Sequence, residues 1–85
     1  ISGDLNVTGR AVQRATSIIE EARAEGLTAG KDPGGLAAAS LYIAGILEND
    51  RRTQREIAKA SNVTEVTVRN RYKELVNSLN ITMEP

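Results

Sequence analysis

The chain contains no cysteine and no histidine, and these two absences exclude several kinds of site. It can form no disulfide, no zinc site with Cys/His ligands, no thiol nucleophile and no imidazole acid or base. The carboxylate pairs Glu20/Glu21 and Asp50/Glu56 fall in charged segments, not in the apolar surroundings that general acid catalysis needs. We therefore expect no enzymatic activity, no catalytic residue, no metal site and no cofactor.

Aromatic residues make up only 2% of the 85 residues, and long apolar runs are also missing. Apolar residues account for 40% of the chain, so the core must be packed from Ala, Val, Ile and Leu. The longest apolar stretch, Leu36 to Leu47, is interrupted by Ser40 and Gly45 and is shorter than the ~20 residues of a membrane helix. We expect one small domain with no membrane partner.

The net charge is zero, but the charges are unevenly distributed. Residues 1–50 hold four basic and seven acidic side chains, whereas residues 51–85 hold seven basic and four acidic ones. All seven of those bases lie between Arg51 and Lys73. A local basic face attracts phosphates more than the net charge implies, because electrostatic attraction is screened within ~8 Å at physiological salt. Charge alone leaves an ordinary solvated helical surface as an equal alternative.

The apolar periodicity and the turn residues predict four helices and an all-α fold. Helix one is expected from Thr8 to Gly26, with an inner stripe of Val12, Ala15, Ile18/Ile19 and Ala22. Helix two follows the Asp-Pro start signal at Asp32 and Pro33 and runs to about Leu47. It is apolar nearly all round, so we expect a central helix surrounded by the others.

The last two helices are predicted to be joined by a very short turn. Thr53 and Glu56 have the spacing of a capping box, which starts helix three. Asn62 is suited to positive φ in the turn, and Thr64 caps helix four, which begins at Glu65. Val68, Tyr72, Leu75, Val76 and Leu79 form the inner stripe of helix four.

The segment from Thr53 to Tyr72 has the pattern of a helix-turn-helix, which places its second helix in the major groove of DNA. Ile57, Ala58, Asn62, Val63 and Val68 take the positions that the pattern requires. Ser61 and Arg71 depart from it, because larger apolar residues are common at these two positions. A plain helical hairpin is the competing interpretation.

Helical geometry assigns roles to the side chains opposite the inner stripe. Val66, Arg69, Asn70 and Lys73 share the outward face, related by steps of three and four residues. Arg69 can pair with both acceptors of a guanine, and Val66 can contact a thymine methyl group. Five further residues lie near helix N-termini, where phosphates are commonly bound: Thr53, Gln54, Arg55, Thr64 and Thr67. Simple solvation is at least as good an explanation for Arg55, Lys59 and Arg71 taken one at a time.

Four blocks together resemble archaeal transcription initiation factor B, the counterpart of eukaryotic TFIIB, and specifically its second cyclin-like repeat. The blocks are Gly30-Lys-Asp-Pro, LAAASLYIA, R-x-TQREIA and VTVRNRYKEL. They occur in the family's order and spacing, and the similarity extends from about Leu5 to Leu79. The resemblance implies that residues 1–85 form one cyclin-like repeat with its helix-turn-helix at about residues 53–79.

The resemblance also implies a function and partners. The repeat would lie beside TBP on double-stranded promoter DNA and read the B recognition element immediately upstream of the TATA box. Val66 and Arg69 would read bases, and Lys31 and Arg55 match basic positions that contact the DNA backbone or a partner. RNA polymerase would be recruited by a zinc ribbon and TBP mostly contacted by a first repeat, neither of which is in this chain. The location would be cytoplasmic, at the archaeal nucleoid, or nuclear in a eukaryote.

One departure from the family pattern bears on this interpretation. A cyclin repeat has five helices, and the chain is expected to open at the end of the first, leaving four and an apolar surface that the missing helix would cover.

The main alternative function is a cyclin-like protein-interaction module, without sequence-specific DNA binding, whose basic face meets an acidic partner. A small bacterial-type repressor domain is a further alternative.

Overall fold

The computed structural model describes residues 8–81, and within this range the regular structure is entirely α-helical. The four helices are α1 (Gly9–Ala24), α2 (Pro33–Leu47), α3 (Gln54–Ser61) and α4 (Glu65–Leu79). The predicted all-α fold with four helices is therefore confirmed. The expectation that the chain opens at the end of a preceding helix concerns residues 1–7, which lie outside the described range.

Each helix begins at a side chain that accepts a hydrogen bond from the first turn. Thr8, Asp32, Thr53 and Thr64 are the four N-caps, at acceptor distances of 2.9–3.2 Å. At α3 the bonding is reciprocal, because Glu56 also accepts the Thr53 N–H at 2.9 Å. These bonds satisfy backbone donors that have no partner inside a helix. The predicted caps at Asp32, Thr53 and Thr64 are confirmed, and Thr8, predicted as the start of helix one, is a fourth cap.

Each helix also ends in the same way, through one residue with a left-handed backbone. These residues are Gly26, Asn49, Asn62 and Asn80, with φ between 54° and 74°. The following N–H then bonds a carbonyl five residues back, at 2.6–3.1 Å in the four helices. This arrangement satisfies orphan carbonyls and confirms the predicted turn residues Gly26 and Asn62.

The core is built around α2, which packs against the other three helices. Ile43, Ile57, Leu75 and Val68 are its largest fully buried apolar side chains. Half of the buried apolar side chains in the described range are alanines, so the helices approach closely. The inner stripe predicted for α1 was wrong at Val12, which is 37% exposed. Ala11, which the predicted stripe did not include, is buried instead.

The loop after α2 is held against the helix by Gly45 and Asp50. A Cβ atom at Gly45 would lie 2.7 Å from the backbone oxygen of Asp50, so only glycine permits this approach. The Asp50 carboxylate accepts the Thr8 N–H at 2.8 Å and bonds Arg52 at 2.6 Å. Asp50 thus ties the start of α1 to the residues that precede α3.

These contacts make stability depend on the ionisation of Asp50. The hydrogen bond from the Thr8 N–H, assisted by the Arg52 charge, holds the pKa of Asp50 below its usual value despite partial desolvation. A lowered folded-state pKa stabilises the fold above the unfolded value, and this contribution is lost as the pH falls below about 4. We expect Asp50→Asn to lower the melting temperature at pH 6 and to change it much less at pH 3. Thermal unfolding followed by circular dichroism at both pH values measures this, and an equal difference at both would contradict it.

No helix in the described range is long and apolar enough to cross a membrane. The longest of the four, α1, has 16 residues and carries charged side chains on its outer faces.

Candidate nucleic-acid interface

The helices α3 and α4 form a compact helix-turn-helix. Asn62 adopts φ 57° and ψ 43° immediately after α3, and the Val63 N–H bonds the Ala58 carbonyl at 3.0 Å. Thr64 then starts α4 two residues after the left-handed position. The turn is therefore closed by backbone bonds on one side and by a side-chain cap on the other, which fixes how α4 leaves it.

The inner side of α4 is held by apolar packing. Val68 and Leu75 are 0% and 2% exposed, and Val76 and Leu79 pack against the same core at its edge. Tyr72 lies edge-on to Tyr42 of α2, with ring centroids 5.0 Å apart, a geometry that aromatic pairs prefer. The predicted inner stripe of α4 is confirmed, and Tyr72 serves in packing.

The opposite side of α4 is exposed to solvent. We call Val66, Arg69, Asn70 and Lys73 the recognition face; all four side chains are exposed. Val66 is 52% exposed, the highest value among the large apolar residues of the described range. In residues 8–81 no side-chain hydrogen bond or ion pair is found for any of the four. The face can therefore contact another molecule without first breaking an internal contact.

The side chains of the recognition face match the edges of base pairs. A guanidinium presents two parallel donors that fit the two acceptors of guanine, and an apolar side chain fits the methyl group of thymine. Arg69 and Val66 supply these groups three residues apart on one exposed face. Asn70 adds a group that both donates and accepts, and Lys73 adds a mobile positive charge.

The residues predicted to support DNA binding differ in how far their side chains are exposed. Thr53, Arg55 and Thr64 are exposed, and Gln54 is half-buried. Thr67 is turned partly inward, with its hydroxyl oxygen accepting a hydrogen bond from the Thr64 hydroxyl at 3.0 Å. The two helix N-termini thus combine exposed polar side chains with backbone N–H groups, a combination that binds phosphate well.

Glu74, which the sequence analysis did not single out, neutralises two of the basic side chains. Its carboxylate lies 3.5 Å from the Lys31 ammonium and 3.3 Å from the Arg71 guanidinium. Arg71 is mostly covered, whereas Arg69 and Lys73 on the recognition face are exposed and without an ion pair in the described range. Lys31 was expected at a DNA or partner contact, and it would have to leave Glu74 to make one.

Glu56 is an acidic side chain beside the polar residues at the start of α3, but it is occupied within that helix. The bond from the Thr53 N–H lowers the pKa of the Glu56 carboxyl group, and the charge of Arg52 contributes to the same shift. Its negative charge thus interacts with the backbone N–H groups at the start of α3. Arg55 next to it remains exposed to an outside anion.

Comparison with known proteins gives a consistent result. The family model described as transcription factor TFIIB repeat matches residues 1–78. Transcription initiation factor IIB of Saccharolobus shibatae is 55% identical over 83 residues, which cover 98% of this chain and 27% of that protein. The Sulfurisphaera tokodaii protein of the same name is 60% identical over 77 residues, covering 91% of this chain and 25% of its own.

A third relative, transcription initiation factor IIB 1 of Thermococcus kodakarensis, is 56% identical over 78 residues, or 92% of this chain and 26% of that protein. The chain thus spans about a quarter of the length of these curated relatives. Their names are those of a transcription factor, which confirms the expectation of a protein that is not an enzyme.

Proposed function

The chain belongs to the transcription factor TFIIB repeat family, and from this premise we propose that it is a promoter DNA-binding module of a transcription initiation factor. In this proposal its helix-turn-helix reads the B recognition element immediately upstream of the TATA box. The observation that carries it is the exposure of Val66 and Arg69 on a helix whose other side is locked into the core. The three archaeal relatives described above support an archaeal origin of this role.

The partners follow from the same proposal. The module would bind next to TBP, so that its recognition face enters the major groove while TBP holds the adjacent TATA box. RNA polymerase would be contacted by other parts of the full protein. The location would be that of the promoter DNA, which is the nucleoid in archaea.

The supporting residues divide by what they would contact. Arg69 and Val66 would read bases, and Asn70 lies beside them on the same exposed face. Phosphates would be bound by the remaining predicted residues: Thr53, Gln54, Arg55, Thr64, Thr67 and Lys73. Lys31 would join them once separated from Glu74. Phosphate contacts set position, whereas base contacts set sequence preference.

This division predicts that two arginine variants lose DNA affinity in different ways. We expect Arg69→Ala to lower affinity for a duplex carrying the matched element by ~1–3 kcal/mol, roughly 5- to 150-fold, and to relax the preference over a scrambled element, since Val66 still reads bases. We expect Arg55→Ala to weaken binding equally on both duplexes, because a phosphate contact carries no sequence information. Fluorescence anisotropy with TBP present on labelled matched and scrambled duplexes measures both ratios.

Arg10→Ala is the matched control, since Arg10 is an exposed arginine on the outer side of α1. It should change neither affinity nor preference. Equal losses on matched and scrambled duplexes for Arg69→Ala would argue against base reading. The alternative of a protein-interaction module would then be favoured if the wild-type chain also showed no preference between the two duplexes.

A further inference from the structure

We propose that the contact between Gly35 and the methyl group of Thr67 sets the position of α4, the helix that carries the recognition face. The proposal deepens the DNA-binding function and rests on it. It assigns a positioning role to Gly35 and to the methyl group of Thr67, in addition to the phosphate contact proposed above for Thr67.

The first observation is the closeness of α2 to α4 at Gly35. A Cβ atom at this position would lie 2.8 Å from the Thr67 methyl carbon, a separation that real Cβ atoms essentially never show. It would also lie 3.6 Å from the Arg71 Cγ atom. Gly35 is buried, so α4 approaches the backbone of α2 more closely here than any other residue type would permit.

The second observation is that the Thr67 side chain is fixed from the other side. Its backbone N–H donates to the Thr64 hydroxyl oxygen at 3.1 Å, and its own hydroxyl oxygen accepts from the Thr64 hydroxyl at 3.0 Å. A β-branched side chain has few χ1 rotamers. With the hydroxyl held by Thr64, the methyl group remains directed at Gly35.

The third observation is where this contact lies on the recognition helix. Thr67 stands in the first turn of α4, between Val66 and Arg69, which point outward. A side chain at position 35 could be accommodated only by moving α4 away or by rotating Thr67 out of its bond with Thr64. Moving α4 away would shift its first turn and therefore Val66 and Arg69, whereas rotating Thr67 would break the hydroxyl bond that helps to fix this turn.

Glycine at position 35 is also unfavourable for a helix considered alone. Gly in a helix interior is less favourable than Ala, and Gly34 and Gly35 both occur in the first turn of α2. Of the two, only Gly35 has atoms of α4 within 4 Å of its Cβ position. A Cβ atom at Gly34 would instead lie 3.2 Å from the Asp32 cap oxygen and 3.7 Å from Val63 Cγ1. Gly34→Ala is therefore a control for helix propensity and for crowding of the cap, without a direct clash with Thr67.

The test is a double-mutant cycle in the chain with TBP, using labelled matched and scrambled duplexes. Gly35→Ala should reduce the ratio of matched to scrambled affinity by roughly fivefold or more, as expected from loss of at least part of one bidentate base contact. Adding Thr67→Ser removes the methyl group and keeps the hydroxyl, so the double variant should recover the ratio measured for Thr67→Ser alone. Gly34→Ala should leave the wild-type ratio unchanged.

An unchanged ratio in Gly35→Ala, or a reduced ratio that Thr67→Ser does not restore, would overturn the proposal. If Gly35→Ala fails to fold, recovery of folding and of the ratio in the double variant supports it, and failure of either overturns it. A wild-type chain without preference would refute the proposed function itself. The contact between Gly35 and Thr67 would then be tested by the same cycle on urea unfolding. Recovery of stability on adding Thr67→Ser supports the contact, and no recovery refutes it.

Discussion

Raising the salt concentration from 50 to 200 mM is expected to weaken binding of the chain to promoter duplex by about a hundredfold. The basic side chains available to phosphates are the exposed Arg55, Lys59 and Lys73, with Lys31 joining them once it leaves Glu74. Neutralising about four phosphates releases counterions and gives a slope near −0.9 per phosphate in a plot of log affinity against log salt. Anisotropy titrations at several salt concentrations, with TBP held at a fixed saturating level, measure this slope.

Single variants show which cations contribute to the slope. Lys73→Ala should make the slope shallower by about one, because one phosphate contact is lost. Arg10→Ala on the outer side of α1 should leave the slope as it is in the wild-type chain. A slope that is the same in all three proteins would argue against Lys73 as a phosphate contact.

Replacing Ile43 with alanine is expected to lower the free energy of unfolding by about 2–5 kcal/mol. Ile43 lies in the central helix and is 0% exposed. Truncating a buried isoleucine loses its transfer free energy and leaves a cavity that the neighbours fill only partly. The effect is large for a small domain, since total stabilities are typically about 5–15 kcal/mol. Urea unfolding followed by circular dichroism gives the difference.

Val12→Ala provides the comparison, because Val12 is an apolar helical residue with an exposed side chain. It should change the free energy of unfolding by no more than about 0.5 kcal/mol. If Ile43→Ala were as mild as Val12→Ala, the packing around α2 would have to be much looser than the structure shows.

Local signals in the sequence were enough to predict where most helices begin and end. Asp32 with Pro33, Thr53 with Glu56, and Thr64 are start signals that act within one turn, so their identification needs no tertiary information. Gly26 and Asn62 act as equally local stop signals. The recognition face was predictable for the same reason, because one apolar stripe on α4 determines which residues are opposite.

Contacts between distant residues could not be predicted in this way. The pairing of Glu74 with Lys31 joins residues far apart in the sequence, and no spacing rule relates them. Val12 and Ala11 are adjacent apolar residues, and only the placement of α2 determines which one is buried. The unusual pair Gly34 and Gly35 was a signal of close helix approach, but it could not identify Thr67 as the opposing residue.

The separation of the recognition face from the scaffold has a consequence for evolution. Within residues 8–81 its four side chains share no described cap, ion pair or place in the core with the rest of the molecule. Substitutions at such surface positions usually change stability by no more than about 0.5 kcal/mol. If these residues read promoters as proposed, lineages can exchange Val66, Arg69, Asn70 and Lys73 one at a time as their promoters diverge, while the fold beneath them is retained.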